Sequence, residues 1–493
     1  MDATIPYYSN VENKVKYFYD INQTTYCLIH PLLLYYYLFD DKLENEKESI
    51  VLDSFDDIEK KYYKEKYLFL KSNGFFSQIN YQNDISNFLT ENTVLELIKN
   101  LNQIVFEVTD KCNLHCTYCA YGELYNDYDK RDDKMMPFKI IQNTIDYLKP
   151  ILSQTNDILY VSFYGGEPLL NMDVIKMAVE YLKKSDLNRK ICYTMTTNGI
   201  LLDKYIDFLS ENKFKILVSI DGDYNHNSYR VFHSGKSSFD KLFTNLKLIK
   251  EKYPQYFVDN IEFNTVLHNR NSIEGAHHFL YKEFGKVTTI APLDNSGIIP
   301  EKLDQFKKMY HDIGTELAHI EDKESLINQQ IAKNPIVNDV ALFLKTLIKY
   351  TDYEFYEDIL AQENLSNKIP TGTCFPFQKK MFITVNGKIL ACERIDQKYT
   401  LGNVNMEKVE IDYVEITQKY NDYFSKIKSQ CVLCYKYETC TQCLFQIDDF
   451  LQQYKCPNFF NKERFSNYLA RIISSIEETP TIITKIIKEV YLK

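Results

Sequence analysis

Apolar and polar positions change rhythm twice along this chain. Between Gln103 and Pro292, short apolar runs recur at 103–109, 158–164, 191–197, 215–220, 260–267 and 286–291. Amphipathic stretches lie between them, among them Pro137 to Leu148 and Ser238 to Lys250. Strand followed by helix, repeated, predicts a parallel sheet built from βα units. The first hundred residues read differently. Lys14 to Asp20 alternates weakly and Thr24 to His30 follows it, which predicts a hairpin. Pro31 then opens an apolar stretch to Phe39, as proline does at a helix start. Asp57 to Lys71 has helical spacing and stops at Ser72-Asn73-Gly74. Beyond the βα region, Pro300 to Asp322 and Asn338 to Thr351 read as charged helices, the second with Ala341, Leu342, Leu344 and Leu347 on one face. Asn386-Gly387 between two β-prone runs predicts a second hairpin within Met381 to Ala391. From Asn461 the tail is helical in spacing, through Leu469, Ile472, Ile473 and Ile476, and breaks at Pro480.

Composition narrows what such a chain can do. Its 493 residues suffice for two to four domains. Lys+Arg 58 against Asp+Glu 68 leaves no basic excess to neutralise phosphates, which argues against nucleic acid as the main partner. The start lacks a basic and apolar signal segment, and the longest apolar run, Cys27 to Phe39, is too short to span a bilayer. A cytoplasmic protein without a membrane partner is expected. In that compartment twelve cysteines suggest metal binding rather than disulfides.

The cysteines are placed accordingly. Cys112, Cys116 and Cys119 follow the first apolar run with the spacing C-x3-C-x2-C. Three thiolates can hold three irons of a [4Fe–4S] cubane and leave the fourth iron to another ligand. Zinc usually takes four ligands from paired C-x2-C knuckles, and only His115 stands nearby as a fourth. Disulfides need an oxidising compartment. Iron–sulfur is the preferred reading, with the other two left open by spacing alone. Downstream, Cys374 and Cys392 flank the second hairpin. Cys431, Cys434, Cys440 and Cys443 run C-x2-C-x5-C-x2-C before Cys456. A zinc ribbon built from these C-x2-C pairs is the alternative there.

The loops after the other strands carry further signals. After the second run come Gly165-Gly166-Glu167-Pro168, where glycine permits close backbone approach. After the third comes Thr197-Asn198-Gly199, and after the fourth Ser219-Ile220-Asp221-Gly222, followed by His226 and Arg230. Singly, each is an ordinary turn or helix cap.

Together, over about residues 101 to 460, these motifs resemble the radical S-adenosylmethionine (SAM) enzymes. The C-x3-C-x2-C loop with aromatic Tyr118 before its third cysteine, the GGEP loop and the SIDG segment carry the resemblance. It implies a partial (β/α)6 TIM-like barrel and a [4Fe–4S] cluster on Cys112, Cys116 and Cys119 whose open iron chelates SAM. It further implies SAM contacts at Gly165, Gly166, Glu167 and Pro168, and at Ser219 and Arg230, with Tyr118, Asn198 and Asp221 as additional contacts. The later cysteines resemble the SPASM domain, a cluster-binding extension of these enzymes, through Gly387-x4-Cys392 and Leu401-Gly402-Asn403-Val404. Cys443 falls one residue earlier than SPASM spacing. The resemblance implies two auxiliary [4Fe–4S] clusters. Cys431, Cys434, Cys440 and Cys456 would hold the outer one. Cys374, Cys392 and Cys443 would hold the inner one, with one iron open.

The hairpin and helices at the start resemble a winged-helix module that binds the leader of a precursor peptide by adding a strand to its sheet edge. The expected organisation is therefore α/β: a winged-helix-like domain (1–100), a radical SAM partial barrel (101–295), a helical bridge (296–370), a SPASM-like iron–sulfur domain (371–460) and closing helices (461–493). The function that follows is that of a radical SAM oxidoreductase maturing a precursor peptide with a leader, with flavodoxin or ferredoxin as the reducing partner. The preferred product is a cysteine thioether crosslink. Alternatives are carbon–carbon or ether crosslinking, epimerisation, sulfatase formylglycine formation and, outside catalysis, a zinc-bearing peptide-binding scaffold.

Overall fold

The computed structural model describes residues 4–8, 15–20, 25–28, 31–38, 55–72, 89–313 without 127, 154–156, 186 and 188, then 316, 337 and 340–341, then 371–447 without 432 and 437–439, and finally 456–478 and 481–486. Strands β1 (Thr4–Tyr8), β2 (Val15–Asp20) and β3 (Thr25–Leu28) form an antiparallel sheet in that order. β2 and β3 are the expected hairpin. β1 is an addition, and its Pro6 is tolerated because β1 is an edge strand. Helices α1 (Pro31–Leu38), α2 (Asp57–Ser72) and α3 (Glu91–Lys99) follow.

The βα region is read closely by its apolar runs. β4 (Gln103–Thr109), α4 (Phe138–Leu148), β5 (Leu159–Gly165), α5 (Met172–Lys184), β6 (Ile191–Thr197), α6 (Leu202–Glu211), β7 (Lys215–Ser219), α7 (Phe239–Lys252), α8 (Pro254–Asn260), β8 (Ile261–Val266), α9 (Ile273–Phe284) and β9 (Thr288–Ala291) alternate as expected. β4 to β9 are parallel neighbours in chain order. Each helix buries one stripe on the sheet; α5 does so with Met172, Ile175, Ala178, Val179 and Leu182. The short helix α10 (Leu303–Met309) follows. The rest of the expected 296–370 bridge lies almost wholly outside the described residues, including all but two residues of Asn338 to Thr351.

The parallel sheet does not end at β4. β10 (Met381–Ile383) pairs parallel with β4, Met381 opposite Ile104. β11 (Lys388–Leu390), β12 (Gly402–Val404) and β13 (Val409–Glu410) then extend it antiparallel, giving ten strands among the described residues. The predicted Asn-Gly hairpin is thus part of the barrel wall. Its tip is tied to the loop after the cysteines: Lys388 Nζ lies 2.7 Å from Asp129, and Lys134 Nζ donates to Asn386 Oδ1 at 2.8 Å. Helix α11 (Tyr413–Cys431) packs against α3, with Asn421 bonding both backbone groups of Leu89. α12 (Lys462–Glu478) and α13 (Thr481–Ile486) close the chain, and α12 lies against β1. Among the described residues no helix is long and apolar enough to cross a membrane.

Candidate functional site

The cysteine loop leaves the end of β4 and is held from two sides. On one side runs the Gly165-Gly166 turn at the end of β5. Gly166 N–H donates to Thr109 O (2.9 Å) and Glu167 N–H to Lys111 O (2.8 Å). A Cβ on Gly165 would stand 2.2 Å from Thr109 O, and one on Gly166 2.2 Å from Lys111 O. Only glycine lets the two backbones approach so closely. On the other side His115 N–H donates to Val231 O (2.7 Å) and Thr117 N–H to Tyr229 O (3.2 Å). The three thiols gather within this frame. Burial pushes Cys112 up to about 11 and Cys116 up to about 12, and in each case charge on the neighbouring loop thiols pushes further. Such thiols are poor thiolates without a cation to bind. Cys112 Sγ is also 3.4 Å from Leu114 N–H and 3.7 Å from Asn198 Nδ2, donors that suit a metal-bound thiolate.

Glu167 and Asn198 join the ends of β5 and β6. The fully buried Glu167 carboxylate accepts from Thr197 Oγ1 (2.7 Å), Leu169 N–H (3.1 Å) and Asn198 N–H (2.8 Å). Burial pushes it up to about 7 despite these donors. Pro168 starts the 3-10 turn Pro168–Asn171 beside it. The Asn198 amide donates to Asn113 Oδ1 at 2.7 Å and so reaches into the cysteine loop.

Asp221, just beyond β7, is the second junction. It is fully buried and accepts from Arg230 Nε (2.9 Å), Arg230 Nη2 (3.0 Å), Val266 N–H (3.0 Å) and the Tyr118 hydroxyl. Burial acts to raise its carboxyl, but the Arg230 guanidinium outweighs it and holds the group at about 2. Tyr118 is therefore fastened from the cysteine loop to the far wall, and the Arg230 guanidinium lies 5.4 Å from its ring. Ser219 ends β7 opposite Asn264, half-buried. The structure thus links Asn198 and Glu167, and Asp221, Arg230 and Tyr118, to the cysteine loop, with most of the Glu167 and Arg230 polar groups already bonded to protein.

The downstream cysteines fall into two groups. Cys431 feels Cys440, Cys434 and Cys456, while burial is the main force raising its thiol. Cys443 feels Cys374, and both act with Cys392 on the hydroxyl of Tyr420. The segment before Cys374 is strapped to that around Cys443: Gly372 N–H donates to Gln442 O (2.9 Å) and Leu444 N–H to Thr373 Oγ1 (2.8 Å). Among the described residues no three Cys, His, Asp or Glu side chains are close enough to share a single metal ion. A cubane, whose thiolates sit on separate irons, asks for a wider ring.

Residues 106–280 match the model of the Radical SAM superfamily. The chain carries a radical SAM domain. It is 28% identical over 163 residues to a cysteine-type anaerobic sulfatase-maturating enzyme of Clostridium novyi, covering 32% of this chain and 43% of that one. It is 27% identical over 213 residues to the radical SAM cyclopropyl synthase TigE of Paramaledivibacter caminithermalis, covering 40% and 43%. The chain therefore spans less than half the length of these relatives. A solved structure of native anSMEcpe with bound AdoMet and a Cp18Cys peptide shares the fold, with a TM-score of 0.50, 19% identity and coverage of 79% of this chain and 99% of that one. A radical SAM domain implies a [4Fe–4S] cluster and SAM, and the three gathered, half-buried thiols fit that centre.

The radical SAM domain also holds residues that its sequence motifs do not mark. A cavity of about 430 Å³ lies inside the sheet, lined in part by Ser162, Tyr164, Thr194, Lys380 and Glu393. Burial raises the Tyr164 hydroxyl, and the charges of Glu393 and Cys119 add to the push. Glu393 pairs with Lys380 at 3.0 Å and adjoins Cys392. Buried Glu107, in mid-strand, accepts Val385 N–H at 2.9 Å and pairs with Arg131 at 3.3 Å, so it joins β4 to the β10–β11 turn. An ionisable residue inside an apolar run was the available signal. His268, fully buried, sets Nε2 3.6 Å from Asp221, with no hydrogen-bond partner within normal reach among the described residues; nothing in its local sequence distinguished it.

Proposed function

We propose that this chain is a cytoplasmic radical SAM peptide maturase that installs a cysteine thioether in a ribosomally made precursor. Cys112, Cys116 and Cys119 would hold the SAM-binding cluster. Gly165, Gly166, Glu167, Pro168, Asn198, Ser219, Asp221, Arg230 and Tyr118 would shape the SAM site. Cys431, Cys434, Cys440 and Cys456 would hold an outer auxiliary cluster, and Cys374, Cys392 and Cys443 an inner one. When bound, the first cluster and SAM supply a 5′-deoxyadenosyl radical for hydrogen abstraction, and the protein orients the substrate and excludes water. One observation supports the reading: Tyr164, the residue before the Gly165-Gly166 loop, and Glu393, whose carboxylate lies 3.5 Å from Cys392 Sγ, line the same cavity. A peptide bound in that cavity would lie beside Glu393 and its neighbour Cys392.

The 1–100 segment would bind the leader. β3 is the outer strand of its sheet, whereas the opposite edge, β1, packs against α12. An added strand on β3 fits β-augmentation. Flavodoxin or ferredoxin would supply the electron.

The test is anaerobic reaction with reductant, SAM and a cysteine-bearing peptide. A product lighter by two hydrogens is expected, and an unchanged mass counts against the reading. The named sulfatase-maturating relative favours a second reading, formylglycine formation; its product would lose sulfur and gain oxygen. Roughly twelve irons per chain, for three cubanes, are expected; a colourless zinc protein ends both readings.

A further inference from the structure

The inner face of the sheet is polar where a closed barrel is filled by branched apolar side chains. Gln103 opens β4, Ser162 of β5 is in register with Thr194 of β6, and Thr194 is in register with Lys215, which opens β7. All four line the cavity of about 430 Å³. This end of the cavity lies at the strand starts, away from the cysteine loop. Tyr164 lines it two residues further along β5, a step of about 7 Å in a strand. Gln103 Nε2 donates to Ser162 Oγ at 2.7 Å, and Ser162 Oγ lies 2.6 Å from Thr194 Oγ1. That second contact uses one hydrogen and the two hydroxyls own two, so one is left to donate. The charged groups around them are matched, with one exception. Glu393 pairs with Lys380 at 3.0 Å, Glu262 lies 3.5 Å from Lys286, and Asp259 accepts from Gln255 Nε2 at 2.9 Å. Lys215 has neither an ion pair nor a hydrogen bond among the described residues. A free ammonium beside a spare hydroxyl donor is a donor set without an acceptor, and a carboxylate is its complement.

Resting on the reading of this chain as a peptide maturase, we propose that Lys215 and the Ser162–Thr194 hydroxyl pair bind a carboxylate of the substrate peptide, carried by an acidic side chain or by the peptide's C-terminus. Lys215 supplies the charge. The hydroxyl pair, oriented by Gln103, supplies a directed hydrogen bond. Lys380 takes no part, because Glu393 already holds it. The anchored residue sits one strand step short of Tyr164, and the rest of the peptide extends along the cavity toward the strand ends where the cysteine loop lies.

The test is calorimetric binding of short cysteine-bearing peptides to the full chain, purified anaerobically. One peptide carries an aspartate and an amidated C-terminus. The second has asparagine in its place and a free C-terminal carboxylate, and the third has neither carboxylate. At least one of the first two should bind about tenfold more tightly than the third, the size of one charge-assisted hydrogen bond, and which one does so names the source. Lys215→Gln should reduce that peptide to the affinity of the third, and Lys215→Arg should keep the preference. Lys215 is an exposed strand start, so neither change threatens the fold. Thr194→Val should lose about threefold of the preference. The third peptide should bind the parent and every variant alike. Equal affinities for all three peptides overturn the proposal. So does a preference that Lys215→Gln leaves intact, since the carboxylate is then held elsewhere. If the peptides bind alike and SAM-dependent modification of their cysteine proceeds, the maturase reading stands and only the carboxylate site fails; if none of them binds, both fall.

Discussion

Two groups of three cysteines, one in the loop after β4 and one read as an inner cluster's ligands, are built in opposite ways. Cys112, Cys116 and Cys119 lie in one loop, and that loop is braced by bonds that need no metal: Gly166 to Thr109, His115 to Val231, Tyr118 to Asp221. Cys374, Cys392 and Cys443 come from three separate segments, strapped by few bonds such as Gly372 to Gln442 and Leu444 to Thr373. The first site is preorganised by the barrel. The second, as proposed, would be completed by the cluster it holds. Metal binding to such a site is folding free energy for the segments that form it.

That contrast is broken or confirmed most directly by removing iron. In the apo chain, amides near 372–392 and 440–447 should lose hydrogen-exchange protection by roughly a hundredfold or more, since their opening is no longer opposed by ligation. Amides of β4 to β8 should change little. Equal losses in both regions would mean that the first site depends on its cluster as much as the second does.

The next largest effect tests the bracing itself. Asp221→Asn leaves Arg230 buried with no counter-charge and weakens the hold on Tyr118. Breaking a buried pair from one side costs about 3–5 kcal/mol. Urea unfolding should show that loss, and a loss under about 1 kcal/mol would mean the junction relaxes without its charge. The loop would then owe its shape to backbone bonds alone.

The same contrast explains what could be read in the sequence. The cysteine loop is local, and its spacing announced it. β4 to β8 were legible because buried parallel strands are near-continuous apolar runs, as in Ile104 to Val108. The union of β10 with β4 was not, because nothing in Met381–Ile383 marks a partner far back in the chain. β1 was hidden by Pro6, which argues against a strand unless the strand is an edge. Asp221 was legible as a motif position, but its bonds to Tyr118 and Arg230 are tertiary. Glu107 announced itself only as a charge inside the apolar run of β4, and His268 carries no local pattern; burial shows the part of each.

The smallest effect concerns Glu167, which joins β5 to β6 beside the cysteine loop. Its carboxyl is raised by burial from 4.5 to about 7. Below pH 4.5 it is protonated folded or unfolded. Between pH 4.5 and 7 the unfolded chain gives up this proton while the folded chain keeps it, so the group's contribution to stability falls as pH rises. At about 1.4 kcal/mol per pKa unit, the fall is roughly 2–4 kcal/mol, complete once pH passes the folded value. Glu167→Gln cannot ionise. Its amide can still accept from Thr197 and Leu169, but it turns an N–H₂ toward Asn198 N–H, which costs on the order of 1–3 kcal/mol. The variant should therefore be the less stable protein at pH 5, and the gap to the parent should narrow steadily toward pH 7.5. A gap that stays constant over that range would mean Glu167 ionises as freely folded as unfolded. The bracing of the first site would then be wetter than its full burial describes, and closer in kind to the second.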